Sequence, residues 1–331
     1  MSTQTHPLAV AAMPLENRHE AFLHLAINAD KLGYEAIFLP ETWAYDMTLI
    51  LTEIAGKTET LRLGTGISSV WGRSAGIIAM GAATLNTISK GRFMLGLGAS
   101  TPQLTEGLHD VPYQKPYTQL RQILTQTRAL LNGERIPLAA ETEARALRLN
   151  VADQPDLPIY MAASSVKSIQ LAGELCDGWL PFLYPKDRLA DGIALMREGA
   201  ARTENPDRPL QVCPFLPVVV NDDADAARQG AAWFVAFYMT TMGPIYRNVL
   251  GRLGFADEVA AVLAANEGQK PAVVPPEAEI LLDQLTIYGT PDQVQAQLAP
   301  WYEAGATLPI LMPQPNLGLE ALDLMLNAFK R

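Results

Sequence analysis

Short apolar runs alternate with amphipathic stretches along almost the whole chain. Residues 8–13 read as a strand, and residues 16–32 as a helix that Gly33 stops. The pairing then recurs. A second run at 36–40 precedes a helix near 46–57, a third at 61–67 precedes one near 74–88, and a fourth at 93–97 precedes one near 117–131. A fifth run at 158–163 leads into a helix at 166–175, and a sixth at 178–182 into one around 188–202. The seventh covers 210–220 and the eighth 308–312, which a helix at 317–329 closes.

Near-continuous apolar strands, rather than alternating ones, belong to a parallel sheet covered on both faces. Right-handed crossovers then lay the helices outside the sheet. Eight such units close into a barrel. An open doubly wound sheet would carry a Gly-x-Gly-x-x-Gly turn after its first strand, whereas Met13-Pro14-Leu15 stands here. The expected class is α/β, a (β/α)8 TIM barrel.

Two stretches break the repeat. Residues 133–158 are more polar and form an excursion with room for a small hairpin. Residues 222–283 are alanine-rich and helical in pattern, with a breaker segment at 271–276. They are expected to form a helical insertion after the seventh strand, over the barrel mouth. Thr290, Pro291 and Gln293 then spell a helix start: N-cap, proline in the first turn, and the far side of a capping box. The whole of 1–331 is read as one barrel domain with these two additions.

Composition narrows the function. The chain of 331 residues is 49% hydrophobic and 18% charged, which is globular. A net charge of -10 argues against nucleic acid and anionic membrane surfaces as partners. An anionic cofactor stays possible, because local backbone donors outweigh global charge. Cys176 and Cys213 sit in runs that read as buried, which fits a reducing compartment. The four histidines (His6, His19, His24, His109) do not cluster with them, so no metal site is expected. No basic region precedes residues 8–13, and no apolar run approaches the roughly 20 residues of a membrane helix. The expectation is a cytoplasmic protein.

In such a barrel, chemistry sits at the C-terminal ends of the strands. The second strand ends in Pro40-Glu41-Thr42-Trp43 and the third in Gly64-Thr65-Gly66-Ile67-Ser68-Ser69. The fourth ends in Gly98-Ala99-Ser100-Thr101 and the fifth in Ala162-Ala163-Ser164-Ser165-Val166. This lining of small and hydroxyl residues, with one carboxylate and one indole, suits a flat ligand lying close to the backbone. The turn at Ser164, Ser165 and Val166 would aim amide N–H groups and a helix dipole at an anion. Capping by Ser164 or Ser165 alone is the commoner role for that turn, and the two roles are compatible.

Three segments taken together carry a resemblance. They are Leu63-Gly64-Thr65-Gly66-Ile67, Ser89-Lys90-Gly91-Arg92-Phe93 through Gly98, and Ala172-Gly173-Glu174 through Asp177-Gly178-Trp179. In this order and spacing they resemble the luciferase-like monooxygenase superfamily of (β/α)8 flavin and deazaflavin enzymes. The run Pro102-Gln103 to His109, with Pro112-Tyr113 and Lys115-Pro116, looks most like its coenzyme F420-dependent, methylenetetrahydromethanopterin reductase-like branch. The likeness covers nearly the whole chain.

The resemblance implies an oxidoreductase that moves a hydride between the deazaflavin and an unidentified organic substrate, in a homodimer. It also implies a non-prolyl cis bond at Gly66–Ile67 behind the ring, with Gly98, Ala99 and Ser100 letting the ring approach the backbone. Ser164, Ser165 and Val166 would hold the cofactor phosphate. Relatives that oxidise alcohols or sugar phosphates place an acid–histidine pair after the second strand and a glutamate just after the fourth. Here Glu41-Thr42 and Ser100-Thr101 stand in those places, so the usual pair is missing from the sequence. Glu41 is left as the candidate catalytic residue, and Trp43, Glu106 and His109 as candidates for the substrate pocket. FMN as cofactor, in a monooxygenase, is the alternative within enzymes. A non-catalytic flavin- or deazaflavin-binding protein is the alternative outside them.

Overall fold

The computed structural model describes residues 6–268, 270 and 272–330. Its strands are, in chain order, β1 Ala9–Ala11, β2 Ala36–Leu39, β3 Arg62–Thr65, β4 Ser68–Ser69, β5 Phe93–Gly98 and β6 Ile159–Met161. They continue with β7 Gly178–Trp179, β8 Gln211–Val212, β9 Phe215–Val220, β10 Ile287–Gly289 and β11 Ile310–Pro313. The eight expected runs fall at β1, β2, β3, β5, β6, β7, the pair β8 and β9, and β11. Pro214, which has no N–H to give a ladder, stands between β8 and β9.

Two compact units are distinguished within the chain, residues 35–180 with 195–210 and residues 1–34, 181–194 and 211–331. In the first, β2, β3, β5, β6 and β7 lie side by side in that order, and β4 pairs with β5. Every one of these pairings is parallel, with Ile37 opposite Leu63, Leu63 opposite Phe93, and Leu95 opposite Ile159. The strands are buried along their length except at Arg62. That explains why their sequences are continuous apolar runs. At about 1.5–3 kcal/mol for each large side chain fully buried, their burial stabilises the unit.

The connecting helices start where the sequence offers caps. Asp46 caps Met47–Lys57 by accepting from the Thr48 amide, and Ser74 caps Ala75–Ile88 by accepting from the Ile77 amide. Beyond β5 a short helix, Pro102–Gly107, precedes Pro116–Leu131. The excursion at 133–158 holds neither strand nor helix among its described residues. Its arms meet through the Ile136 amide, which donates to Leu147 O at 2.9 Å. The small hairpin expected there is not formed as strands.

In the other unit, β10, β9, β11 and β1 lie side by side, again all parallel. The stretch at 222–283 is helical, with Ala224–Thr240, Pro244–Arg252, Ala256–Ala265 and Ile280–Leu285. Asn266 organises the breaker: its Oδ1 accepts from the amides of Ala272 and Val273, both at 3.0 Å. Pro271 of that segment lies outside the described residues. The capping box of Thr290 and Gln293 forms as expected, with Pro291 in the first turn. β10 was not foreseen, because Thr286 and the Gly289-Thr290 turn leave only Ile287 and Tyr288 as an apolar run. Among the described residues, no helix is long and apolar enough to cross a membrane.

Candidate active site

Glu41 leaves β2, and its amide donates to Ile67 O at 3.0 Å, tying the loop after β2 to the loop after β3. Its side chain is nearly buried, 8% exposed. One carboxylate oxygen, Oε2, accepts from the Ser68 hydroxyl and the Ser69 amide, each at 3.0 Å, and from Arg73 Nη1 at 2.5 Å. Arg73 reaches on with Nη2 to Asp46 Oδ2 at 2.9 Å. The guanidinium thus bridges two carboxylates that both come from the β2 loop. Burial works against its charge, but Glu41 and Asp46 outweigh that and raise its pKa above the ordinary value. Burial also raises the Asp46 carboxyl, yet the hydrogen bonds from Thr48 and the charge of Arg73 leave it below the usual range.

The other oxygen of Glu41 faces a histidine. Nε2 of His109 lies 3.6 Å from Oε1, too far for a hydrogen bond. That nitrogen is buried and has no hydrogen-bond partner. The imidazole lies over the backbone of Gly72, where a Cβ would stand 2.8 Å from its Cε1. The sequence puts no histidine beside Glu41, but the fold does. It delivers one from beyond the Pro102–Gly107 helix.

The remaining candidates divide. Gly66–Ile67 is a cis peptide bond, as the resemblance implies. The Ile67 side chain occupies the space that a Cβ at Gly98 would take, 2.8 Å from Cγ1. A Cβ at Gly96 would stand 2.0 Å from Thr65 O. These two glycines therefore make room for close packing, Gly98 for the Ile67 side chain and Gly96 for the backbone at Thr65. Ala99 O accepts from Trp71 Nε1 at 2.8 Å, and Ser100 adopts a left-handed φ of 56°. Trp71 leans on Tyr113 with ring centroids 5.4 Å apart, and burial raises the Tyr113 hydroxyl's pKa.

Ser165 caps the helix Val166–Leu175 and its own amide donates to Ser168 Oγ at 3.0 Å. One of the three expected phosphate donors is thus already engaged. Among the described residues, nothing accepts from the amides of Ser164 and Val166. Glu106 is exposed, and its Oε1 accepts from the Tyr113 amide at 3.0 Å. Trp43 is 59% exposed. No cluster of metal ligands exists among the described residues.

Arg73, Asp46, Trp71 and Tyr113 were missed from the sequence. The signal for Arg73 and Trp71 was available, since Trp71-Gly72-Arg73 directly continues the loop after the third strand.

Comparison with known proteins gives these contacts a setting. The luciferase-like monooxygenase family matches residues 3–308. A Mycobacterium tuberculosis protein named as a coenzyme F420-dependent oxidoreductase is 31% identical, over 91% of this chain and 91% of its own. The coenzyme F420-dependent tetrahydromethanopterin reductase of Methanopyrus kandleri superposes with a TM-score of 0.75 at 22% identity, covering 98% of each chain. An F420-dependent secondary alcohol dehydrogenase, solved with an F420–acetone adduct, superposes with a TM-score of 0.76 at 16% identity, covering 99% of this chain and 100% of its own. At such identities the two structures speak for the fold, which is the luciferase-like TIM barrel. With nearly the whole sequence matched and the expected cis bond in place, the chain belongs to the luciferase-like monooxygenase family.

Proposed function

We propose that this protein is an F420-dependent oxidoreductase that moves a hydride between the deazaflavin and a small organic substrate. The observation that carries the reading is the 31% identity, over nine-tenths of both chains, to a relative named for F420-dependent oxidoreduction. A bound deazaflavin supplies a two-electron hydride carrier at C5 and does not activate oxygen as a reduced flavin does.

The donor set fits the anionic end of such a cofactor. Val166 opens a ten-residue helix, and its amide and that of Ser164 would donate to a phosphate, with the helix dipole adding attraction. Ser165 holds the turn in shape through Ser168 rather than donating itself. Gly66, Ile67, Gly98, Ala99 and Ser100 form a packed wall, fixed by the contact of Ile67 on Gly98, against which a flat ring would rest. Trp43, exposed beside Glu41 in the chain, would close on the substrate side. Glu106 keeps a loop role through Tyr113.

Residues 1–331 are taken as one luciferase-like domain, with 133–158 and 222–283 as its elaborations. Assembly as a homodimer is supported by the helix Ala75–Ile88, which carries no charge yet exposes Ile77, Met80 and Ile88. A cytoplasmic setting is supported by Cys176 and Cys213, both buried thiols.

The test is a titration of purified protein with F420 and with FMN, followed by fluorescence. F420 is expected to bind more tightly and to turn over without consuming oxygen. Tighter FMN binding with oxygen uptake would move the protein to the monooxygenase reading.

A further inference from the structure

We infer that Tyr238 is the hydrogen-bond donor of a ligand site walled by Phe182, Phe237 and Tyr246, and that this site takes an uncharged aromatic molecule carrying an acceptor oxygen. The inference stands apart from the cofactor reading, because none of these residues is among those assigned to F420. All four belong to the unit of residues 1–34, 181–194 and 211–331.

The chain brings these rings together from three places. Phe182 follows β7 and bridges to Phe215 at the head of β9. Phe237 and Tyr238 lie in the last turn of the helix Ala224–Thr240, and Tyr246 in the first turn of Pro244–Arg252. Gly243, at a left-handed φ of 78°, turns the chain between the two helices and returns Tyr246 onto Tyr238. Between centroids, the Tyr238 ring meets Phe182 at 4.8 Å, Tyr246 at 5.2 Å and Phe237 at 5.4 Å, each edge-on. Phe182 meets Tyr246 in the same way at 5.4 Å. Edge-to-face contact is a preferred geometry of aromatic rings, so such walls suit a further flat ring. Phe182, Phe237 and Tyr246 each keep part of their surface in solvent, which is the way in.

Among these rings lies one group that they do not satisfy. Tyr238 is 1% exposed, and its Oη is buried with no hydrogen-bond partner. A buried hydroxyl without an acceptor is destabilising, and phenylalanine would pack the same rings without that penalty. A helical threonine can return its hydroxyl to its own helix, as Thr240 does to Ala236 O at 2.7 Å. A tyrosine hydroxyl stands too far from the backbone for that. A buried water needs several polar partners, and of the three neighbouring rings only Tyr246 carries a polar atom. The acceptor therefore comes with a ligand. Its charge follows from the same surroundings. Burial and the neighbouring Tyr246 push the Tyr238 pKa well above its ordinary value, and burial pushes that of Tyr246 up to about 12. Both hydroxyls thus keep their protons near neutrality and can donate. Among the described residues no cation opposes either shift, so an anion would lose its water there without compensation. A neutral ring bearing an acceptor oxygen meets both demands.

The test titrates the full chain, with no cofactor added, by calorimetry against two matched series. One is methyl benzoate, toluene and benzoate; the other is methyl 2-naphthoate, 2-methylnaphthalene and 2-naphthoate. The wild type is expected to bind at least one ester, more tightly than the matching hydrocarbon, and neither anion. Tyr238→Phe should keep the affinity for the hydrocarbon and lower that for the ester about 2–10-fold, the worth of one neutral hydrogen bond. Phe182→Leu should weaken ester and hydrocarbon alike. Without ligand, the thermal midpoint of Tyr238→Phe should equal or exceed that of the wild type, because an unsatisfied hydroxyl is removed. A lower midpoint would give the hydroxyl a structural partner and overturn the proposal. So would a wild type that binds neither ester, ester affinity that either variant leaves unchanged, or a preference for the anions. None of these outcomes bears on the titration with F420, so this site and the cofactor reading stand or fall separately.

Discussion

Arg73 meets Glu41 through Nη1 and Oε2 at 2.5 Å, in a pair from which water is largely excluded. The two residues come from successive strand-end loops, so the pair fastens the β2 loop to the β3 loop. Removing the arginine would strand the charge of Glu41 beneath the surface. Arg73→Met is expected to cost about 1–3 kcal/mol, between the limits for exposed and fully buried pairs. The double variant Arg73→Met with Glu41→Gln should recover much of that. Urea unfolding of the two proteins checks it, and a single variant as stable as wild type would show that the pair adds nothing.

The phosphate site is tested most cleanly at Val166. Ser165→Pro would destroy the capping box, because the Ser165 amide and hydroxyl both bond Ser168. Val166 stands in the first helical position, where proline is accommodated. Ser165 before it is extended, at φ -104° and ψ 153°, as a residue preceding proline must be. Val166→Pro therefore removes one donor and keeps the helix. If a phosphate sits there, F420 affinity should fall about 10–100-fold, the worth of one hydrogen bond to a charged group. Unchanged affinity would place the phosphate elsewhere.

The strands were legible because a parallel sheet covered on both faces writes itself as apolar runs, and β5, Phe93–Gly98, is buried at every position. Glu41 was legible because it follows such a run directly. The partnership with His109 was not. The chain reaches it through Ser100 and the turn after Gly107, and left-handed backbone at Ser100 and Asp110 carries no reliable mark in sequence. At Gly98, too, the fold adds a contact that sequence does not carry, since only the folded chain brings the Ile67 side chain against it.

Glu174 gives a pH dependence with a definite sign. Hydrogen bonds from Arg121, at 2.6 and 2.7 Å, lower its pKa below the ordinary 4.5. A folded-state value below the unfolded one contributes stability that is fully present above about pH 4.5. That contribution is lost as pH falls through the depressed value. Glu174→Gln should therefore lower the urea midpoint at pH 7, and the gap to wild type should close in acid. A gap that stays constant from neutral to acid pH would rule out the ion pair as its cause.

The last prediction concerns assembly. Helix Ala75–Ile88 contains no Asp, Glu, Lys or Arg in its 14 residues. Its outer side shows Ile77 at 51%, Met80 at 47% and Ile88 at 45% exposure, and the helix Met47–Lys57 adds Leu49 at 70%. Large apolar side chains left in water over two neighbouring helices are the mark of a covered face. A second copy of the chain would bury the same patch on both sides of a two-fold axis, which needs no charge complementarity. Light scattering should then give about twice the 36.0 kDa of one chain. Met80→Glu puts a charge in the patch at a residue that is itself 47% exposed. It is expected to yield monomers with unchanged circular dichroism. A wild type that scatters as a monomer would remove the homodimer, and a dimer undisturbed by Met80→Glu would move the interface to another face.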